Sequence, residues 1–146
     1  MKKTAIYAGS FNPWHSGHEM VVNKAFCVFD KIVVAIGQNP DKPELKSVFS
    51  ELQKLLSYGI NNGSIELVTF KGLLADYIQE RNKTADYISA NIRGMRNAQD
   101  FEYEKMQMYW NQDLKIGVPT MFFIADRDLV HVSSSAIRAI KNLKGE

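Results

Sequence analysis

Short runs of apolar and β-branched residues alternate along the chain with longer segments in which apolar residues recur three and four positions apart. The short runs predict β-strands. They occupy residues 4–8, 31–37, 65–70, 87–92 and 120–125. The longer segments predict amphipathic helices, because this spacing gathers apolar side chains on one face of a helix. The first three helices are marked by Val22, Ala25, Phe26 and Phe29, by Phe49, Leu52, Leu55 and Leu56, and by Leu73, Leu74, Tyr77 and Ile78.

The order of strand then helix, repeated five times, determines the predicted fold class. A fourth helix is predicted over about residues 98–114. A fifth begins near residues 133–135, whose serine hydroxyls can cap free backbone N–H groups, and ends near residues 144–145. The run from Ile32 to Ile36 is apolar at every position, as in a parallel strand that helices cover on both faces. We therefore predict one α/β domain over residues 1–146, a Rossmann-like, doubly wound, five-stranded parallel sheet with its ligand cleft at the carboxyl ends of the strands.

Composition and charge narrow the function classes without choosing one. The 146 residues suit one domain, and a hydrophobic fraction of 45% is enough for a core without disulfides. Cys27 alone can form neither an internal disulfide nor a multi-cysteine metal site, which indicates a reducing compartment. The net charge of +2 argues against extended binding to nucleic acid. No apolar stretch is long enough for a bilayer-spanning helix or a signal-peptide core, so we expect a cytoplasmic protein that does not associate with membranes.

The segment after the first predicted strand is the richest in candidate chemistry. It covers residues 9–18 and reads Gly-Ser-Phe-Asn-Pro-Trp-His-Ser-Gly-His. Its first two residues turn the chain off the strand, and Gly17-His18 open a helix whose free N–H groups and positive dipole end suit a phosphate. His15 and His18 make a poor zinc site, because no third cysteine or histidine lies near them in the sequence. His18 can donate a hydrogen bond to a phosphoryl oxygen, and a solvated histidine at a helix start is the ordinary alternative.

Two later strand ends carry further groups that suit anions. The fourth predicted strand is followed by Arg93-Gly94-Met95-Arg96, whose two guanidinium forks can hold two separate anionic groups. The fifth is followed by residues 128–138, in which three consecutive serines open the last helix and can cradle an anion. Taken singly, each signal has an ordinary explanation: a solvated surface turn for the arginines and a common helix cap for the serines.

Together these motifs resemble the nucleotidyltransferase superfamily that has an HxGH signature near the N-terminus and an ISSSxxR-like signature near the C-terminus. Within it, the likeness is closest to the bacterial phosphopantetheine adenylyltransferases and runs over about residues 5–140. The segment Asn39-Pro40-Asp41-Lys42-Pro43 also matches. The most specific part is the RGxR…DFEYE block of residues 93–104, since HxGH and serine-rich ends occur across the superfamily.

The resemblance implies that an adenylyl group passes from ATP to 4'-phosphopantetheine, giving dephospho-coenzyme A and pyrophosphate, with Mg2+ present and in a homo-oligomer, typically a hexamer. It implies catalytic roles for Ser10, His18, Lys42 and Arg96, with His18 stabilising the transition state and Lys42 on the reacting phosphates. It implies ATP contacts for Ser10, Phe11, His18, Gly94, Met95, Arg96, Glu104, Leu129, Val130, His131, Val132, Ser133, Ser134 and Ser135. It implies acceptor contacts for Ser10, Lys42, Leu74 and Arg93.

Two other functions stay open from the sequence. The first loop, with its HxGH, equally resembles nicotinamide mononucleotide adenylyltransferase, which would need a planar-ring pocket in which Trp14 is a candidate. The other is a nucleotide-binding regulator that has the fold without turnover, although the joint presence of the matched polar residues argues against it. Outside the resemblance, Leu74 would be interpreted as core packing, and Lys42 and Glu104 as solvated surface residues.

Overall fold

The computed structural model describes residues 2–38, 45–129 and 131–145, in which strands alternate with helices. The strands are β1 (Thr4–Gly9), β2 (Lys31–Gln38), β3 (Ile65–Lys71), β4 (Ile88–Met95) and β5 (Thr120–Ile124). The helices are α1 (Ser16–Ala25), α2 (Leu45–Leu55), α3 (Ser57–Asn61), α4 (Leu74–Arg81), α5 (Ala98–Asp113) and α6 (Ser134–Leu143), with a short 3₁₀ turn over Arg127–Leu129. Among the described residues, no helix combines the length and the apolar character needed to cross a bilayer.

The strands form one parallel sheet with the order β3-β2-β1-β4-β5. The chain builds outward from β1 in one direction through β2 and β3, and then in the other through β4 and β5. The crevice between the carboxyl ends of β1 and β4 is therefore the topological switch point, where doubly wound sheets bind their ligands. The predicted Rossmann-like, five-stranded parallel sheet is confirmed.

Successive residues of the central strands point into two cores, one on each face of the sheet. On one face, Val34 belongs to a core that includes Val21 of α1 and Leu52 of α2. On the other face, Val33 belongs to a core that includes Ile78 of α4. Both faces of β2 are thus buried, as the continuous apolar run of that strand predicts.

Two element boundaries differ from the sequence prediction. The second predicted helix is divided into α2 and α3 at Leu56, whose backbone angles (φ −101°, ψ 11°) lie outside the helical region. Strand β4 continues past the predicted end at Ile92, because residues 93–95 pair with residues 122–124 of β5. Gly94 fits there because a Cβ atom would lie 2.7 Å from Cγ2 of Val21 in α1, too close for any other residue without a shift. The first arginine and the glycine of the RGxR motif are therefore held by the sheet and not by a turn.

Candidate active site

A cavity of about 430 Å³ lies at the carboxyl ends of β1 and β4, where the strand order reverses. Its wall combines the loop after β1, the start of α1, the end of β4, the first turns of α5 and the start of α6. The predicted site residues that line it are Ser10, Phe11, His18, Arg93, Gly94, Met95, Arg96, Glu104, Leu129, Val132, Ser133 and Ser134. The topology thus brings together three segments that are far apart in the sequence.

The first turn of α1 fixes the ring of His18. His15 is the N-cap residue, and its Nδ1 accepts a hydrogen bond from the backbone N–H of Gly17 at 3.0 Å. In return, Nδ1 of His18 accepts a hydrogen bond from the backbone N–H of His15 at 3.1 Å. The two imidazoles stack with 3.7 Å between ring centroids. Because Nδ1 of His18 is an acceptor, the proton of the neutral ring lies on Nε2.

The surroundings of His18 keep its ring uncharged. Burial, followed by the charges of His15 and Arg93, lowers the pKa of His18 to about 3. The aromatic rings around it are those of Tyr7, Phe11 and Trp14, at 6.2, 5.0 and 5.2 Å between centroids. At neutral pH, His18 therefore lines the cavity as a neutral N–H donor.

Arg93 and Glu104 form an ion pair at the base of the cavity. Nε and Nη2 of Arg93 donate to the two carboxylate oxygens of Glu104, both at 3.0 Å, and Nη1 donates to the backbone oxygen of Ala8 at 2.6 Å. Glu104 is only 8% exposed, so it is not the solvated helix-face residue of the ordinary interpretation. A guanidinium has five N–H groups, and these three bonds leave one on Nη1 and one on Nη2 for a ligand.

Arg96 connects the end of β4 to α5 and to the loop before α6. Its Nε and Nη2 donate to the Asp100 carboxylate at 2.8 and 3.1 Å, and Nη1 donates to the backbone oxygen of Val132 at 3.2 Å. The hydrogen bond from Arg96 holds the pKa of Asp100 below its usual value. Arg93 and Arg96 are thus both oriented by carboxylates and line the same cavity.

The serine-rich segment closes the other side of the cavity. Ser133 is the N-cap of α6, and its Oγ accepts a hydrogen bond from the backbone N–H of Ala136 at 3.1 Å. Oγ of Ser134 donates to the backbone oxygen of Pro13 at 3.0 Å, which fastens the start of α6 to the loop after β1. Arg138 of α6 donates to the backbone oxygen of Asn12 and supports the same contact. The first N–H groups of α6 therefore border the cavity, where they favour an anion.

A second cavity of about 340 Å³ adjoins the first and shares Arg93, Tyr103 and Glu104 with it. Its apolar wall consists of Phe70, Leu73, Leu74, Met108, Trp110 and Leu114. Its polar residues include Asn91, Gln107, Asn111 and Thr120. Leu74 lines this cavity at the first position of α4 and also packs partly against the core beneath that helix. Two spaces thus meet at Arg93, and the second has the larger share of apolar wall.

The remaining predicted site residues lie elsewhere. Lys42 and Val130 lie outside the described residues. His131 and Ser135 are exposed and do not line either cavity. Trp14, the candidate for a planar-ring pocket, packs against Phe11 with 5.2 Å between centroids and lines neither cavity.

Sequence reasoning assigned no site role to several residues that line the two cavities. Tyr7 and Asn91 lie within buried strands, where the pattern of apolar residues gives no sign that they face a ligand space. Asp100 and Tyr103 lie inside the DFEYE block. The motif indicates that this segment belongs to the site, but it does not indicate which of its residues line the cavity.

The described residues do not form a site for a divalent cation. Among them, no group of three histidine, cysteine or acidic side chains is placed to hold a metal ion. The carboxylates that line the first cavity, Asp100 and Glu104, each accept hydrogen bonds from two nitrogens of one arginine. Mg2+ in proteins is usually held by one or two available carboxylates together with substrate phosphates. The carboxylates present here do not fit that role.

Comparisons with known sequences extend the likeness over the whole chain. The model of the cytidylyltransferase-like family matches residues 6–140. A phosphopantetheine adenylyltransferase from Cytophaga hutchinsonii is 36% identical over 146 residues, which covers 100% of this chain and 94% of the relative. One from Clostridium tetani is 37% identical over 142 residues, covering 97% of this chain and 85% of the relative.

Comparisons with solved structures support the fold. A putative nicotinate-nucleotide adenylyltransferase from Vibrio parahaemolyticus has a TM-score of 0.65 at 16% identity, over 100% of this chain and 90% of that one. A bifunctional NMN adenylyltransferase/ADP ribose pyrophosphatase from Francisella tularensis has a TM-score of 0.68 at 14% identity, over 96% of this chain and 42% of that one. At these identities the likeness shows a shared fold and does not choose between acceptors.

Proposed function

The chain belongs to the cytidylyltransferase-like family and, within it, to the phosphopantetheine adenylyltransferases, and on this premise we propose that it transfers the adenylyl group of ATP to 4'-phosphopantetheine. An oxygen of the acceptor phosphate forms a bond to the α-phosphorus of ATP. The bond from that phosphorus to the oxygen bridging the β-phosphate breaks, and the electron pair leaves with pyrophosphate. The other product is dephospho-coenzyme A.

The main support for 4'-phosphopantetheine as the acceptor is the sequence identity to phosphopantetheine adenylyltransferases over nearly the full chain. The two cavities support it independently, because ATP and a long, mostly uncharged arm need different surroundings. The first cavity, bordered by Arg96 and the start of α6, suits a triphosphate. The adjoining cavity, with Leu73 and Leu74 in its wall, suits the apolar parts of the arm. Arg93 lines both cavities, which supports assigning it to the reacting phosphates.

In this proposal, the protein positions the phosphates and stabilises their charge through N–H donors that have fixed directions. The attacking oxygen belongs to a phosphate that is already ionised at pH 7, so the reaction needs no general base. Nε2–H of His18 donates to an oxygen of the reacting α-phosphate and neither gains nor loses a proton. The two remaining N–H groups of Arg93 hold the acceptor phosphate, and Arg96 holds phosphates of ATP. Lys42 would add a further positive charge, a role that rests on the resemblance alone.

We propose that Mg2+ enters with ATP as part of the substrate, held by triphosphate oxygens. This assignment follows from the engagement of Asp100 and Glu104 by arginines, which leaves their oxygens poorly suited to a metal. The ion would neutralise part of the phosphate charge, and the roles given to His18, Arg93 and Arg96 do not depend on it. Variants of the two carboxylates should therefore alter substrate affinities, and at fixed MgATP the rates of the variants and of the unaltered protein should not depend on free Mg2+.

Release of pyrophosphate from ATP tests the proposed function. The acceptors to compare are 4'-phosphopantetheine, nicotinamide mononucleotide and nicotinate mononucleotide, with His18→Ala as the control of reduced activity. We expect turnover with 4'-phosphopantetheine and dephospho-coenzyme A as the second product by mass spectrometry. Turnover with either mononucleotide and none with 4'-phosphopantetheine would contradict the proposal.

We further propose that the chain works as a homo-oligomer, with a hexamer expected from the resemblance. The support in the structure is α5, whose described residues include several large apolar side chains exposed to solvent. Those that line neither cavity are Phe101, Met106 and Tyr109. Exposed apolar side chains gathered on one helix are typical of association surfaces. A monomer mass by light scattering at micromolar concentration would contradict this assignment.

A further inference from the structure

Asn91 is a buried polar residue in the interior of the sheet. It lies in β4, between β1 and β5, and its neighbours Ala90 and Ile92 are apolar and buried. The side chain of Asn91 is only 2% exposed. Its Nδ2 is 3.5 Å from Oγ1 of Thr120, at the outer limit of a hydrogen bond, and its Oδ1 has no hydrogen-bond partner among the described residues.

A carboxamide in this position reduces stability, because a buried polar group without a partner has lost its hydrogen bonds to water. Exchanging the oxygen and the nitrogen of the amide does not remove the problem. The hydroxyl of Thr120 could then donate to Oδ1, but Nδ2 would lose its acceptor. Among the residues that the structure describes, one half of the carboxamide of Asn91 is thus unpaired in either orientation, so it is available to pair with a ligand.

The surroundings of Asn91 indicate where that partner lies. Asn91 belongs to the wall of the second cavity, together with Arg93, which is two residues further along the same strand. Side chains alternate along a strand, so these two project from the same face, about 7 Å apart. The strand therefore presents a guanidinium and a carboxamide from one face to a cavity that Leu73 and Leu74 also line.

Resting on the proposed function, we propose that Asn91 binds the amide of 4'-phosphopantetheine that is nearest to its phosphate. The nitrogen of that amide is about six bonds from the phosphorus, or about 7 Å when the chain is extended, given ordinary bond lengths. This length is similar to the Cα spacing of residues 91 and 93 along the strand. A secondary amide carries both an N–H and a C=O group, so it can pair with the carboxamide of Asn91 in either orientation. Asn91 is then a specificity-determining residue for the acceptor alone, since it does not line the first cavity.

Calorimetric titration of the full chain with 4'-phosphopantetheine and with ATP tests this role through Asn91→Leu. The variant should bind 4'-phosphopantetheine about tenfold more weakly, the usual effect of losing one hydrogen bond to a neutral group. Its affinity for ATP should be unchanged, and its Tm should be equal or higher, because the unpaired polar group is gone. A matched control is Thr4→Val, which replaces a buried polar residue of β1 that lines neither cavity and should change neither affinity.

A change in the ligand provides a test that does not depend on the folding of any variant. In an alkene isostere of the amide nearest the phosphate, both the N–H and the C=O group are missing. The unaltered protein should bind this isostere about tenfold more weakly than 4'-phosphopantetheine. Asn91→Leu should bind the two compounds equally, because the interaction is already absent.

The outcomes separate this inference from the proposed function. The role of Asn91 is overturned if Asn91→Leu binds 4'-phosphopantetheine as tightly as the unaltered protein does. It is also overturned if replacing 4'-phosphopantetheine by the isostere weakens binding equally in both proteins. Neither result contradicts the proposed activity. Failure of the unaltered protein to release pyrophosphate from ATP and 4'-phosphopantetheine overturns both. If Asn91→Leu does not fold, the affinities of the unaltered protein for 4'-phosphopantetheine and for the isostere provide the test. Equal affinities for the two compounds overturn the inference.

Discussion

Replacement of His18 by alanine removes one preorganised N–H donor from the reacting phosphate. The ring is neutral and Nδ1 is occupied by the backbone N–H of His15, so the loss at the cavity is a single neutral donor to an anion. Such a donor contributes about 2–4 kcal/mol to a transition state, so kcat should fall roughly 30- to 1000-fold. The affinity for ATP should change little, since the interaction develops mainly in the transition state.

Alanine at position 18 also removes part of the helix cap, which costs about 1 kcal/mol of stability. Two further variants separate the cap from the chemistry. His18→Asn can place its amide oxygen near the position of Nδ1, so it should restore the Tm without restoring kcat. His18→Gln can place an N–H near the position of Nε2, so it should recover part of kcat.

The low pKa of His18 predicts that the stability of the folded protein decreases as the pH falls. Its folded value of about 3 lies below the ordinary value of 6.5, so the unfolded chain takes up a proton between these two values while the folded protein does not. The contribution of His18 to the free energy of unfolding is therefore unchanged above pH 6.5, and it decreases as the pH drops toward 3. At the same time, kcat should show no titration of His18 between pH 6 and pH 9. The assay is pyrophosphate release at saturating substrates, and an unchanged kcat in His18→Ala, or full rescue by His18→Asn, would refute this role.

The remaining predictions concern binding and stability. Arg93→Lys should raise the KM for 4'-phosphopantetheine about tenfold and Arg96→Lys that for ATP, because an ammonium lacks the planar fork; steady-state kinetics that show equal effects on both substrates would contradict these roles. Leu74→Glu should weaken acceptor binding at least about tenfold in calorimetry while sparing ATP, because it puts an unpaired charge beside the apolar arm; unfolding in a melting curve would instead mean a core role. The hydrogen bond from Arg81 lowers the pKa of Glu66 to about 2 from 4.5, so its contribution is present above pH 4.5 and lost toward pH 2. Glu66→Gln should therefore lower the free energy of unfolding in urea by about 1 kcal/mol at pH 7, after allowance for solvent exposure, and by less at pH 3; equal losses at the two pH values would contradict this.

The fold could be predicted because apolar residues follow a different spacing in its strands than in its helices. The run from Ile32 to Ile36 is apolar at successive positions, and its short length and β-branched residues favour a strand buried on both faces. The end of β4 could not be predicted, because arginine and glycine at positions 93 and 94 are typical of a turn. Pairing with residues 122–124 overrides that local preference, and it depends on a strand about thirty residues away.

The site could be predicted in its location and less well in its internal order. The positions of His18 and Ser133 at helix starts follow from local signals, and the structure places both beside one cavity. The ion pair of Arg93 with Glu104 joins a strand to a helix, so its spacing in the sequence gives no indication of contact. The depressed pKa of His18 depends on burial among residues from other elements and could not be read from the HxGH motif.

The pairing of Arg93 with Glu104 also explains how the proposed chemistry can avoid binding its phosphates too tightly. A free arginine at the junction of the cavities would attract any anion by its charge, in the substrates as much as in the transition state, and such uniform attraction does not raise kcat. Paired with a buried carboxylate, the guanidinium carries little net field, but its two remaining N–H groups keep fixed directions. His18 is likewise a directed donor without charge. Stabilisation by such donors depends on where the phosphate oxygens lie, so it can favour the geometry of the transition state over that of the bound substrates.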